Sequence, residues 1–322
     1  MLSVRITNSM MNSKMLQNLN NNLRRLDKHQ MKLATGKNFN VPSDNPVGVS
    51  KSLGLNTAIS ELQQYKRNSE DAISWLEITE SAIEDVQEII HRAKELSVQL
   101  GSGTYSDADR VSGKQEIDQL KEQLIKIANT TFAGKHIFTG FKTNQSLLDV
   151  NGLYTIDTSN NEKMMFEVGI GDTIDINILG HKLFGRTAEV APPYTSLDGV
   201  SVDTGEAVIG NQAELLSVFE DLSNALGVND PARIQTSGKR LDKHLENILS
   251  IRGEVGSKVN RAELTLNRIQ KDIVNVTGLL SKNEDADMAE VIMQFKNDEN
   301  IYRASLSTGA KAIQPTLIDF IK

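Results

Sequence analysis

The chain has 322 residues, of which 39% are hydrophobic, 24% charged and only 5% aromatic, with a net charge of −7. This apolar content is enough for the cores of two or three domains, and no run approaches the length of about 18 apolar residues that a membrane-spanning helix needs. Cysteine is absent, which excludes disulfides and thiolate chemistry.

The first 40 residues are basic, unlike the rest of the chain. They hold seven Lys/Arg against the single Asp27, a net of +6 that leaves −13 for the remainder. A basic head can indicate nucleic-acid binding, but these charges lie between leucines at heptad spacing, which favours solvated helix flanks, and the acidic remainder would repel phosphates. The start also lacks the apolar run of a cleaved signal peptide. We therefore expect neither a nucleic-acid nor a membrane partner.

A heptad-type apolar stripe follows from Leu16 and predicts a helix that ends near Gly36. The next stretch, 38–48, reads NFNVPSDNPVG, and its two prolines and turn formers end the helical pattern. Its composition is equally compatible with an ordered linker between helical bodies and with a loose loop.

Residues 53–100 contain no proline and repeat apolar residues at helical spacing, which predicts a second, long helix with Trp75 as a packing residue. The stretch 101–104, GSGT, breaks this helix, and Ser106 or Asp107 can cap the next one. The repeat in 117–127 then predicts a third helix that returns antiparallel to the second.

The pattern changes to short β-type segments at 135–140, 154–156, 165–168 and 173–178, separated by turn-forming residues. These segments predict a small β domain over 135–205, inserted between helices. Helical spacing resumes at 212–226, stops at Gly227, and restarts after Asn229-Asp230-Pro231. It leads into an apolar stripe that we expect to form an intramolecular rod seam, made of Val255, Val259, Leu266, Ile269, Ile273, Val276 and Leu280.

The last helical stripe follows a polar break at 281–287, where Asp285 and Asp287 are predicted caps, and ends at Pro315. The stripes at the two chain ends have matching repeats and no other obvious mate, so we expect them to pair within one subunit or across several. The predicted fold class is mainly α, an antiparallel long-helix rod or coiled coil with an inserted β domain. The predicted segments are 1–36, 37–134, 135–205, 206–282 and 283–322.

No catalytic or ligand-binding constellation is present in the sequence. The five histidines are isolated from further metal-ligating residues, and the glycine-rich stretches match neither a dinucleotide nor a phosphate loop. We therefore expect a protein that is not an enzyme and that needs no cofactor and no metal.

Several long segments resemble the bacterial flagellin superfamily. They are RITNSMMNSKMLQNLNNNLRRLDKHQMKLATGK, NVPSDNPVGVSKSL, ISWLEITESAIEDVQEIIHRAKELSVQ, ANTTFAGKHIFTG and AEVIMQFKNDENIYRASLSTGAKAIQPTLIDFIK. The resemblance covers about residues 1–140 and 255–322, and the middle matches only as a variable insert. PSDNP at 42–46 and QPTLID at 314–319 favour the members that join hook to filament over flagellin, the main filament subunit.

The resemblance implies a non-enzymatic structural adaptor between hook and filament, with the filament subunit as the alternative. Its implied partners are hook-associated protein 1, flagellin, copies of itself in a ring and a flagellar export chaperone. It also implies an extracellular location, export without a cleaved signal peptide, and terminal helices that become ordered on assembly. The expected assembly interface is Leu16, Leu19, Leu23, Leu26, Leu33, Ile292, Phe295, Tyr302, Leu306 and Ile313.

Overall fold

The computed structural model describes residues 8–102, 105–156, 162–185, 194–195, 201–202 and 212–313. Long helices from both halves of the chain flank a short β-containing middle, which confirms the predicted fold class. The helices are α1 Asn8–Thr35, α2 Pro46–Leu100, α3 Asp107–Ala128, α4 Gly180–Phe184, α5 Glu214–Val228, α6 Pro231–Glu284 and α7 Met288–Ile313. Within the described ranges, no helix is long and apolar enough to cross a membrane.

Helix ends follow local signals. The Ser106 hydroxyl accepts a hydrogen bond from the Asp109 backbone N–H while the Asp109 carboxylate accepts one from the Ser106 backbone, so α3 starts with a capping box. The hydrogen bonds that the Asp109 carboxylate accepts from the Ser106 hydroxyl and from the Ser106 backbone N–H lower the pKa of the Asp109 carboxyl. Helix α2 begins at Pro46, seven residues before the predicted start, because Asn45 caps it by accepting a 2.9 Å hydrogen bond from the Gly48 N–H.

In the part of the middle that the structure describes, the strands form three separate two-stranded antiparallel ladders rather than one sheet. The strands are β1 Thr131–Phe132, β2 Lys135–His136, β3 Met165–Gly169, β4 Asp172–Asp175, β5 Tyr194–Thr195 and β6 Ser201–Val202, paired in chain order. The predicted strand at 154–156 is instead held by isolated bridges from Leu148 to Tyr154 and from Leu153 to Gln212. The pattern at 173–178 forms a strand only as far as Asp175.

The chain divides into two compact units, and the first consists of Met1–Gln63 and Lys271–Lys322. The second unit is Gln64–Gln270. Helices α2 and α6 each contribute to both units. The five-part division drawn from the sequence therefore stays a prediction.

The second unit has one continuous apolar core that the helices and the β-containing middle share. Helices α2 and α6 run antiparallel in it, with an Arg252–Glu84 ion pair at 2.8 Å. Trp75 is buried and packs edge-on against Phe132, with ring centroids 5.8 Å apart, as expected for a packing residue. The short ladders lack enough apolar surface for a core of their own, so they depend on this shared core.

Candidate assembly surface

Helices α1 and α7 pack side by side in the first unit, and their contact positions recur at heptad spacing. The pairing is antiparallel, because Asn22 contacts Ser305 and the later His29 contacts the earlier Asp298. We call the buried and half-buried contact positions the terminal seam. It consists of Met15, Leu19, Asn22, Leu26, His29 and Leu33 on α1, and of Val291, Phe295, Asp298, Tyr302, Ser305 and Gly309 on α7.

The terminal seam includes only half of the residues predicted for the assembly interface. Leu19, Leu26, Leu33, Phe295 and Tyr302 belong to it, and the side chain of Ile313 lies outside the described residues. The remaining four residues, which we call the open flank, are 57%, 45%, 50% and 44% exposed; they are Leu16, Leu23, Ile292 and Leu306.

The open flank forms a stripe along one side of the helix pair. Leu16 and Leu23 each follow a seam position by one residue on α1, and Ile292 and Leu306 do the same on α7. One residue is about 100° of rotation, and on two antiparallel right-handed helices this rotation turns both sets toward the same side. The pair therefore presents apolar side chains to a further partner on that side.

Polar side chains occupy the middle of the terminal seam. The Asn22 amide donates a 3.1 Å hydrogen bond to the Ser305 hydroxyl. Nε2 of His29 lies 3.4 Å from one carboxylate oxygen of Asp298, and the Arg25 guanidinium lies 3.6 Å from the other. Sequence reasoning missed these residues because it followed leucine alone. The signal in the sequence is that Asn22 and His29 lie seven residues apart and alternate with Leu19, Leu26 and Leu33.

The terminal seam buries the side chains of α1 only in part. Over residues 10–35 of α1, no side chain is fully buried. At the free end, Gly309 lies directly under Met15, and a Cβ at position 309 would come within 2.9 Å of the Met15 sulfur. A side chain at position 309 would therefore require the flexible end of the Met15 side chain to move.

Residues 36–48 and 283–286, which we call the joint, connect the terminal helices to the long helices. These two segments are hydrogen-bonded to each other. The Asn38 N–H donates to the Glu284 carbonyl at 2.6 Å, and the Ala286 N–H donates to the Gly36 carbonyl at 2.9 Å. Gly36 has φ +70°, a left-handed conformation that favours glycine at a helix end. Lys37 Nζ lies 2.6 Å from Glu284 Oε2.

Side chains fix the linker of the joint as well. The Asn283 amide donates to the Gly48 carbonyl at 2.9 Å and to the Ser52 hydroxyl at 2.7 Å. Phe39 is buried against Gly48, where a Cβ would lie 2.8 Å from the ring. In the structure, residues 38–48 are therefore an ordered linker, one of the two interpretations of this stretch, and not a loose loop. Beyond it, Asp287 caps α7 by accepting from the Ala289 N–H at 2.9 Å, as predicted, whereas Asp285 does not.

The joint should weaken in acid. The hydrogen bond from Lys37 lowers the pKa of the Glu284 carboxyl below its ordinary value. A lowered folded-state pKa contributes stability that is present above the unfolded pKa, about 4.3, and is lost as pH falls through the folded value. We expect the Asn38 amide resonance to titrate with a midpoint below about 4.3, and to stay flat over this range in Glu284→Gln. A midpoint at or above the ordinary glutamate value would contradict this.

The predicted rod-seam residues all lie on the buried or half-buried face of α6. Val255 and Ile269 are buried and Val259 and Leu266 are half-buried in the second unit, while Ile273, Val276 and Leu280 are half-buried in the first. No group of three or more His, Cys, Asp or Glu side chains that could hold a metal occurs among the described residues. The terminal seam, the open flank and the joint are the features that bear on assembly.

Comparison with known protein families gives two matches that together span most of the chain. Residues 6–143 match the bacterial flagellin N-terminal helical region, and residues 239–321 match the bacterial flagellin C-terminal helical region. The chain belongs to the bacterial flagellin family. Both helices of the terminal seam fall within the matched regions.

Relatives within the flagellin family align with this chain over nearly their full length. Flagellar hook-associated protein 3 of Escherichia coli (strain K12) is 27% identical over 310 residues, covering 94% of this chain and 96% of that protein. Flagellin of Bacillus subtilis (strain 168) is 27% identical over 305 residues, covering 93% of both. As a member of this family, the chain is a structural protein of the flagellum and associates with other flagellar components.

Solved structures of flagellin-family proteins share the fold. A putative flagellar hook-associated protein from Vibrio parahaemolyticus has a TM-score of 0.62 at 19% identity, covering 75% of this chain and all of that one. FlgL of Bacillus cereus has a TM-score of 0.56 at 19% identity, covering 71% of this chain and 99% of that one.

Proposed function

We propose that this protein is a non-enzymatic structural adaptor that joins the flagellar hook to the flagellin filament. Its partners would be hook-associated protein 1 on one side, flagellin on the other and copies of itself in a ring, with an export chaperone before assembly. The open flank is the observation that carries this proposal, because apolar side chains at heptad spacing on one side of a helix pair suit lateral packing against further helices.

We also propose that assembly orders the terminal helices. Fixing the backbone costs on the order of 1–2 kcal/mol per residue, and α1 and α7 contain 28 and 26 residues. A seam that fully buries no described α1 side chain and has polar groups at its centre offsets little of that cost. Neighbouring copies that cover the open flank would supply the missing burial. Export would then precede ordering, with the basic first segment as an uncleaved signal.

The junction role is favoured over the filament role by the sequence at the joint and near the carboxy end. PSDNP at 42–46 and QPTLID at 314–319 are the segments that resemble junction proteins. The first of them lies within the joint. The near-full-length similarity to Bacillus subtilis flagellin keeps the main filament subunit as the second candidate.

The two candidates and the open flank can be tested together by adding purified subunits to hook-derived seeds. The junction role predicts a short cap that stops growing, whereas flagellin would elongate into filaments. In Leu16→Glu/Leu23→Glu, charges on the open flank should reduce addition to seeds by about 30-fold or more, the factor expected when a central apolar contact of at least ~2 kcal/mol is lost. Electron microscopy and sedimentation of the seeds measure both outcomes.

Leu264→Glu is the matched control, because Leu264 is an exposed leucine on α6 of the second unit, at 71% exposure. This variant should add to seeds like the unmodified protein. If the Leu16/Leu23 variant adds equally well, lateral packing through the open flank is wrong. If the unmodified protein elongates without limit, the junction role is wrong and the filament role replaces it.

A further inference from the structure

The polar centre of the terminal seam constrains how α1 and α7 can pair. Asp298 is 8% exposed, and the cationic or potentially cationic groups within 4 Å of its carboxylate are Arg25 and His29 of α1. The Nδ1 atom of His29 is itself buried without a hydrogen-bond partner. Such a carboxylate is tolerated in a seam only where its partner helix brings a donor to it.

Leucine packing alone leaves the register open. Leu19, Leu26 and Leu33 recur every seven residues, so sliding α1 by one heptad along α7 again brings leucines to the seam. That slide breaks the polar contacts of the observed register. In the register slipped by seven residues, Asp298 would lose Arg25 and His29 and face only the neutral Asn22 amide, while His29 would face the apolar Val291.

Other pairings are disfavoured by the same groups. Two α7 helices from different copies would bring one Asp298 carboxylate toward another without a cation. Two α1 helices would offer Arg25 and His29 no carboxylate at the seam. Groups that penalise the wrong partner more than they strengthen the right one are a known source of specificity.

We propose that Asn22, His29 and Asp298 determine pairing specificity in this protein, fixing the register in which α1 joins α7 and excluding slipped and same-helix pairs. Arg25 assists by lying beside the second oxygen of Asp298 and by donating a 2.8 Å hydrogen bond to the side-chain Oδ1 of Asn22. The proposal does not depend on the junction role, because the register can be read wherever the terminal helices are ordered, in a short cap or in a filament.

The absence of cysteine allows register to be read by disulfide trapping in the full chain. Met15→Cys with Gly309→Cys reports the observed register, since these residues are in contact. Met15→Cys with Tyr302→Cys reports the register slipped by seven residues. Under mild oxidation of protein that has been added to seeds, where the terminal helices are ordered, we expect intramolecular closure of the first pair to exceed that of the second by more than about tenfold, the ratio that corresponds to ~1.4 kcal/mol.

The same two pairs are then measured in a His29→Leu/Asp298→Leu background, which keeps the seam apolar and its length unchanged. We expect the preference to fall to within about threefold, while far-UV circular dichroism of the assembled protein shows no loss of helix. The milder Asp298→Asn, which removes the charge and keeps the shape, should move the ratio in the same direction. An unchanged preference in both backgrounds, or no closure of either pair in the original one, would overturn the proposal.

Discussion

Removing residues 1–35 is expected to abolish addition to flagellar seeds while leaving a folded, soluble protein. The deletion removes α1 and the whole α1 side of the terminal seam, so neither the seam nor its flank can form. The core of the second unit contains no residue of α1, so its thermal transition should move by no more than a few degrees. Seed binding should fall by at least about a hundredfold, the ratio for ~2.7 kcal/mol.

Deleting residues 290–322 is the matched experiment from the other side of the seam. It should give the same loss, and combining both deletions should add little, because either one already removes the pair. A truncated protein that still enters flagella would show that the terminal helices are dispensable. In that case the open flank could not be the assembly surface.

Replacing Asn129 by alanine should cause the largest loss of stability of any single polar substitution at the boundary between helices and insert. The side-chain Oδ1 of Asn129 accepts from the Leu147 N–H at 2.8 Å and the Leu148 N–H at 3.0 Å, and its side-chain Nδ2 donates to the Leu148 carbonyl at 2.9 Å. Both leucines are buried, so the alanine leaves their amides without a partner or water. At about 1–3 kcal/mol for each unsatisfied group, we expect a loss of roughly 3–5 kcal/mol in urea unfolding.

The control is Asn129→Asp, which keeps an accepting oxygen but replaces the donor by a second oxygen and adds a negative charge. We expect it to lose clearly less stability than the alanine variant. Equal losses from both would mean that the two accepted hydrogen bonds contribute nothing, and a loss below about 1 kcal/mol in the alanine variant would show that the insert is anchored elsewhere.

Helix ends were predictable from the sequence because their signals are local. Ser106 caps α3, Asn229 has a left-handed φ of 59° at the end of α5, and Pro231 is the first residue of α6. Each of these ends is decided by residues within one turn of it. The start of α2 was placed too late because the weight went to the apolar repeat and not to Asn45.

The face that closes the terminal seam was not predictable in the same way. Leu19, Leu26 and Leu33 belong to two overlapping stripes, and the sequence favoured the one completed by Leu16 and Leu23. The choice depends on what α7 presents more than 250 residues later, namely Asp298 opposite His29 and Gly309 beneath Met15. Periodicity within one helix holds no information about its partner.

The extent of β-strand in the insert was overestimated for a related reason. Alternation at 154–156 indicated a strand, but the partners there are a bridge to Leu148 and one from Leu153 to the distant Gln212. Pairing over such separations cannot be read from local alternation. The anchors Asn129 and Asn283, which bond to backbone far along the chain, left no periodic signal either.

The separation of the ladders affects how this protein can vary. The ladders share no strand, so no backbone strand pairing passes from one to the next among the described strands. The β3–β4 hairpin turns at Ile170 and Gly171, and Ile170 is almost fully exposed, at 88%. Added sequence at this tip would extend into solvent without disturbing the remaining ladders, so the middle of the chain can change its outer surface while the helices keep theirs.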